Sequence, residues 1–170
     1  MFEAQSAYQF RYCNSEKLTE DGLSRRRHVF VFISQYKKKY TFWADQFDSN
    51  IPFFGVKFFP SCLIKSNNKF KAVINHGDFI RILGTCFQIM IEMGNKFPCA
   101  SFAYVAEPQR HGIYEKGLAR IFSDIDYVFD HYDDDFNNNL YVISHRQLEN
   151  LCPTYNEFID DLLDHYGFIF

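Results

Sequence analysis

The run "INHGDFIRILGTCFQIMIEM" (Ile74–Met93) constrains this chain more than any other stretch. Phe79, Ile82, Leu83, Cys86, Phe87, Met90 and Met93 recur at helical spacing, which gives one apolar helix face. Such a face needs a second layer to cover it. The stretches on both sides have the pattern of strands, so that layer is a sheet. Gly94 with Asn95 stops the helix, and Pro98 follows. Before it, Gly77–Asp78 joins a strand-like run to a helix amino end. Unpaired N–H groups and the positive end of the helix dipole suit a phosphate there. Asp78 also suits an N-cap, its carboxylate accepting bonds from those same N–H groups. The cap is the reading the residues favour.

The strands follow from alternation and turn chemistry. "AYQFRYC" places Tyr8, Phe10 and Tyr12 on one side, and "SEKLTEDGLS" is a polar turn. "RRRHVFVFIS" and "KYTFWADQF" form a hairpin around "QYKK". "FFGVKFFP" is a central strand ended by Pro60. "KFKAVIN" is a further strand, and "CASFAYVAE" is central. "GIYEKGLARIFSDI" is a helix weakened by Gly117, and "DYVFDHYDD" and "NLYVISH" form a closing hairpin. A last helix spans 153–166, with Thr154 as N-cap and Glu157 completing a capping box. The fold class is α+β (α/β in the broad sense): one domain over 1–170, a single mixed, mostly antiparallel sheet flanked by helices.

Aromatic residues make up 19% of the chain, which excludes disorder. No apolar run reaches the ~18 residues of a membrane span, and the first residues lack a signal-peptide pattern. A cytoplasmic protein with no membrane partner is expected. Five cysteines at scattered spacings, without a CxxC, read as buried free thiols, and no metal site is expected. Charge is lopsided: residues 1–123 hold 17 basic and 10 acidic side chains, residues 124–170 hold 1 and 11. So acidic a last third disfavours a nucleic-acid partner, because it repels phosphates.

The order of elements over about 25–146 resembles the N-acetyltransferase superfamily of acyl-CoA-dependent acyltransferases. "SFAYVAEPQRHGIYEKGLARIF" is similar to its strand-then-helix segment, with Tyr114, Lys116 and Gly117 as the Tyr-x-Lys-x-Gly-like run. The resemblance implies acetyl-CoA as cofactor, Tyr114 as the acid that protonates the departing thiolate, and Gly77, Asp78, Arg81 and Arg110 at the cofactor. The family's Arg/Gln-x-x-Gly-x-Gly/Ala turn is absent; one glycine, Gly77, is followed by an acid. Gly77, Asp78, Leu83, Thr85, Pro98, Ala100, Arg110, Tyr114 and Gly117 also resemble the shared features of a small bacterial family of unassigned function. That likeness suggests a bacterial toxin–antitoxin or phage-defence setting.

Two further constellations stand out. His76 and His111 approach each other if both helix-start loops lie at one sheet edge, making either a candidate general base. Arg25, Arg26, Arg27, Lys37, Lys38 and Lys39 meet at neighbouring strand ends if the hairpin is right. That patch suits nucleic acid, an acidic protein surface, or simply a solvated edge that discourages strand pairing. Three functions are therefore expected in order: a non-catalytic or regulatory interaction protein, with a protein partner or a second copy; an N-acyltransferase; and a nucleic-acid-binding module.

Overall fold

The computed structural model describes residues 7–20, 23–47, 52–67, 69, 78–106, 112, 116, 126–133, 139–145, 157 and 160. Among these residues seven strands form one sheet: β1 (Phe10–Glu20), β2 (Leu23–Ile33), β3 (Lys39–Phe47), β4 (Phe53–Pro60), β5 (Ser101–Ala106), β6 (Tyr127–Asp133) and β7 (Asn139–His145). Their order is β1-β2-β3-β4-β5-β7-β6. Every neighbouring pair is antiparallel except β4 and β5, which run parallel. A parallel pair needs a crossover. Helix α1 (Phe79–Lys96) lies in the segment between them.

The sheet places "FFGVKFFP" and "SFAYVA" at its centre, as their apolar runs require. Residues at period two share a face. On one face Phe30, Phe32, Tyr40, Phe42, Phe54, Phe102, Tyr141 and Ile143 pack with Ile82, Leu83, Phe87, Ile89, Met90 and Met93 of α1. Aromatic pairs knit this layer, such as Phe54 on Phe102 with centroids 5.4 Å apart. Cys86 lies in the same layer, and its burial pushes the thiol well above its usual range.

Three expectations about elements change. The segment "SEKLTEDGLS" is not one turn, because β1 and β2 pair as far as Glu20 and Leu23. That end of the ribbon is mostly polar, with Leu18 and Leu23 on one face, so it carries no sustained apolar alternation by which to recognise it. Helix α1 runs through Gly94 and Asn95 to Lys96 rather than stopping at the glycine. Gly94 meets a close approach instead: a Cβ there would lie 2.8 Å from the Tyr127 hydroxyl. Finally, Lys69 donates its N–H to Ser66 O at 3.4 Å in a tight turn, where a strand was expected to begin. The rest of that expected strand lies outside the described residues. Of the helices read at 112–125 and 153–166, the described positions Gly112, Lys116, Glu157 and Asp160 are helical.

The thiol expectation holds only in part. Cys86 is buried, but Cys13 and Cys62 are exposed; all three are free, as is the half-buried Cys99.

Candidate functional site

The amino end of α1 is built around Asp78. Its carbonyl accepts the Ile82 N–H at 2.9 Å, so it holds the N-cap position that the sequence assigns. Its carboxylate, however, makes no capping bond. It turns instead to a residue 70 positions away: the Tyr8 hydroxyl donates to Asp78 Oδ2 at 2.7 Å. This corrects the expected self-capped helix start. The cause is non-local, because Tyr8 reaches this end only through the chain's path across α1.

That path is fastened at several points. The Tyr8 N–H donates to Thr85 Oγ1 at 2.8 Å, and Thr85 donates in turn to the Arg81 carbonyl at 2.8 Å. The Arg81 guanidinium stacks on the Tyr8 ring, 4.0 Å from its centre. On the other side Tyr8 stacks on Phe32 at 6.2 Å. Burial raises the Tyr8 phenol above its ordinary pKa, with Asp78 adding to the rise while a backbone bond from Gln35 and the Arg81 charge oppose it. Tyr40 is raised by burial too, and then by Asp78, Tyr8 and Cys62. Both phenols are therefore neutral donors at pH 7.

Asp78 is 5% exposed. Its Oδ1 and the Arg81 Nε are buried without a hydrogen-bond partner among the described residues. A pyrophosphate arriving here would meet a carboxylate. Two like charges about 4 Å apart cost roughly 1–4 kcal/mol near a surface. The arrangement therefore spends the helix amino end on an internal acid. Of the residues expected at a cofactor, Asp78 and Arg81 are brought together with Tyr8; Gly77 and Arg110 lie outside the described residues, as do Tyr114, His76 and His111.

The basic patch is divided. Arg25 pairs with Phe47 and Lys39 with Ile33, at opposite ends of the β2–β3 ladder. Eight residues of strand separate them by about 26 Å. The reason is elementary: in an antiparallel hairpin the first residues of the two strands lie at opposite ends. Alternation splits the arginines again. Arg25 and Arg27 share the face away from α1 with Asp45, whereas Arg26 is exposed and reaches Ser15 Oγ at 3.2 Å.

Arg27 belongs to a compact cluster that sequence reasoning missed. Its Nε and Nη2 grip both Asp45 oxygens at 2.7 and 2.8 Å, and its guanidinium lies 3.6 Å from the centre of the Trp43 ring. Arg25 Nη1 adds a contact to Asp45 at 3.9 Å. An acid inside the apolar strand "KYTFWADQF", facing an arginine once the hairpin is put in register, was the available signal. Tyr8 gave no local signal. Thr85, which is 0% exposed, gave a weak one, as a polar residue within the apolar run of α1.

No family model, no curated protein and no solved structure matches this chain. Among the described residues no helix is long and apolar enough to cross a membrane, and no three ligating side chains converge as a metal site would require.

Proposed function

We propose that this chain is a non-catalytic interaction protein on an acyltransferase-like scaffold, its cofactor turn given over to an internal contact. The scaffold part is supported by the order of elements. Antiparallel strands lead to a helix between two parallel central strands, and the β6–β7 hairpin closes the sheet. The functional part rests on one observation: the Asp78 carboxylate is buried at the amino end of α1 and bonded by Tyr8. An acyl-CoA would have to place its pyrophosphate against that charge and compete with that bond.

A second reading, an acyl-CoA-dependent N-acyltransferase, has its own support. The β4–β5 ladder pairs only Phe53–Gly55 with Ser101–Ala103, while β4 continues to Pro60 and β5 to Ala106. Parallel strands that part in this way offer backbone groups to an extended ligand. Calorimetric titration with acetyl-CoA and free CoA to millimolar concentration separates the two. The interaction-protein reading expects no heat of binding and no thermal shift. A dose-dependent rise of several degrees overturns it in favour of the second reading, since a ligand at 100 times its Kd adds about 2.7 kcal/mol. Tyr114→Phe is then the next variant.

A further inference from the structure

The end of the sheet where β2 turns into β3 carries exposed apolar side chains where a solvated turn needs none. Ile33 is 60% exposed, Tyr36 51% and Ile64 48%. Lys37, Lys38, Lys39 and Lys65 stand among them, all exposed. Two chain segments build this tip and are fastened together: Tyr40 pairs with Pro60, and Thr41 Oγ1 bonds Ser61 Oγ at 2.7 Å.

The turn presents its lysines rigidly. Ser34, buried, donates its N–H to Lys38 O at 2.8 Å and accepts the Lys37 N–H at 2.9 Å. Its hydroxyl accepts the Lys38 N–H at 3.3 Å. Lys37 sits at φ 58°, a left-handed position that favours glycine or asparagine. A lysine is kept there against that preference. Residues 22–44 and 49–77 contain no Asp or Glu, and the carboxylate nearest in structure among the described residues, Asp78, which acts on Tyr40, is buried.

We propose that this tip docks on an anionic lipid surface, with Ile33, Tyr36 and Ile64 entering the headgroup region and the lysines facing the lipid charges. Three features favour lipid over nucleic acid. The cations of the turn and of the segment after β4 are lysines, with Arg11 of β1 nearby opposite Val31; lysines are compact point charges that suit a diffuse negative surface, whereas bidentate phosphate and base recognition favours arginine. Two of the three apolar residues are aliphatic, and bases stack on planar rings. A tyrosine with one apolar and one polar end fits the interface. The expectation of no membrane partner rested on the lack of a span, and contact with a surface needs none.

The test is co-sedimentation of the whole protein with vesicles of phosphatidylcholine and phosphatidylserine, against phosphatidylcholine alone and against oligothymidylate. The expected result is binding to the mixed vesicles only, lost at high salt. Lys37/Lys38/Lys39→Ala should weaken it on the order of 100-fold, at about fivefold per lysine near such a surface. Ile33→Ser with Ile64→Ser should weaken it roughly tenfold through lost apolar contact. All these side chains are exposed, so the variants keep the parent's thermal midpoint. Binding to oligothymidylate instead of vesicles overturns the proposal. So does binding to neither, or vesicle binding that the triple alanine variant retains.

Discussion

Asp45 and Asp78 are both buried aspartates beside an arginine and an aromatic ring, and their surroundings differ in kind. Asp45 is 2% exposed, and both its oxygens are held by Arg27, which lies over the Trp43 ring. Asp78 is 5% exposed, and among the described residues only one of its oxygens is held, by the neutral Tyr8 hydroxyl. A charge-assisted, bidentate pair satisfies a buried carboxylate, and a single neutral donor does not. The contrast separates a structural rivet on one face of the sheet from a carboxylate still able to take another donor at the helix end. Burial alone does not distinguish the two acids; how fully each is satisfied does.

Substitutions can break that contrast. Asp45→Ala leaves Arg27 charged and half-buried without its partner, so a loss of about 3–5 kcal/mol is expected in chemical denaturation. Asp45→Ala with Arg27→Met should recover much of it; no recovery would mean that the pair is not a unit. Next in size, Tyr8→Phe removes the hydroxyl that donates to Asp78 and should cost about 1–3 kcal/mol. Asp78→Asn in the same background should recover part of that, because the amide is uncharged. If Tyr8→Phe proved neutral, Asp78 would be as well satisfied as Asp45 and the distinction would fall.

Smaller effects sharpen the picture. Gly94→Ala brings a Cβ to 2.8 Å from the Tyr127 hydroxyl, so it should destabilise despite alanine's helix preference. With Tyr127→Phe the sign should reverse, to a gain of up to about 1 kcal/mol. The smallest effect is the pH dependence of His28. Burial holds its pKa below the ordinary 6.5, with Arg26 and Lys96 lowering it further and the Gln46 bond and Asp45 opposing. The unfolded chain then takes up the proton first. Stability is full above pH 6.5 and declines as pH falls from there through the folded pKa. His28→Phe should flatten that limb in thermal scans at pH 5–7.

Much of this was readable in advance. Helix α1 announced itself through Phe79 to Met93, because its period depends only on neighbours three and four residues apart. The same holds for the β2–β3 and β6–β7 hairpins and for the central β4 and β5, whose patterns are local. The length of the β1–β2 ribbon was hidden, since its mostly polar end has no sustained apolar alternation. The meeting of Arg25–Arg27 with Lys37–Lys39 was misjudged, since nearness in sequence is not nearness across a ladder.

What the sequence determined by itself is the identity and order of these elements and the apolar side of each. Short-range sterics and periodicity decide those. Only the tertiary structure decided that Asp78 faces Tyr8 rather than its own helix and that Gly94 lies under Tyr127. Each is a contact between residues far apart in the chain. Its partner is chosen by how the layers pack, which no local pattern encodes.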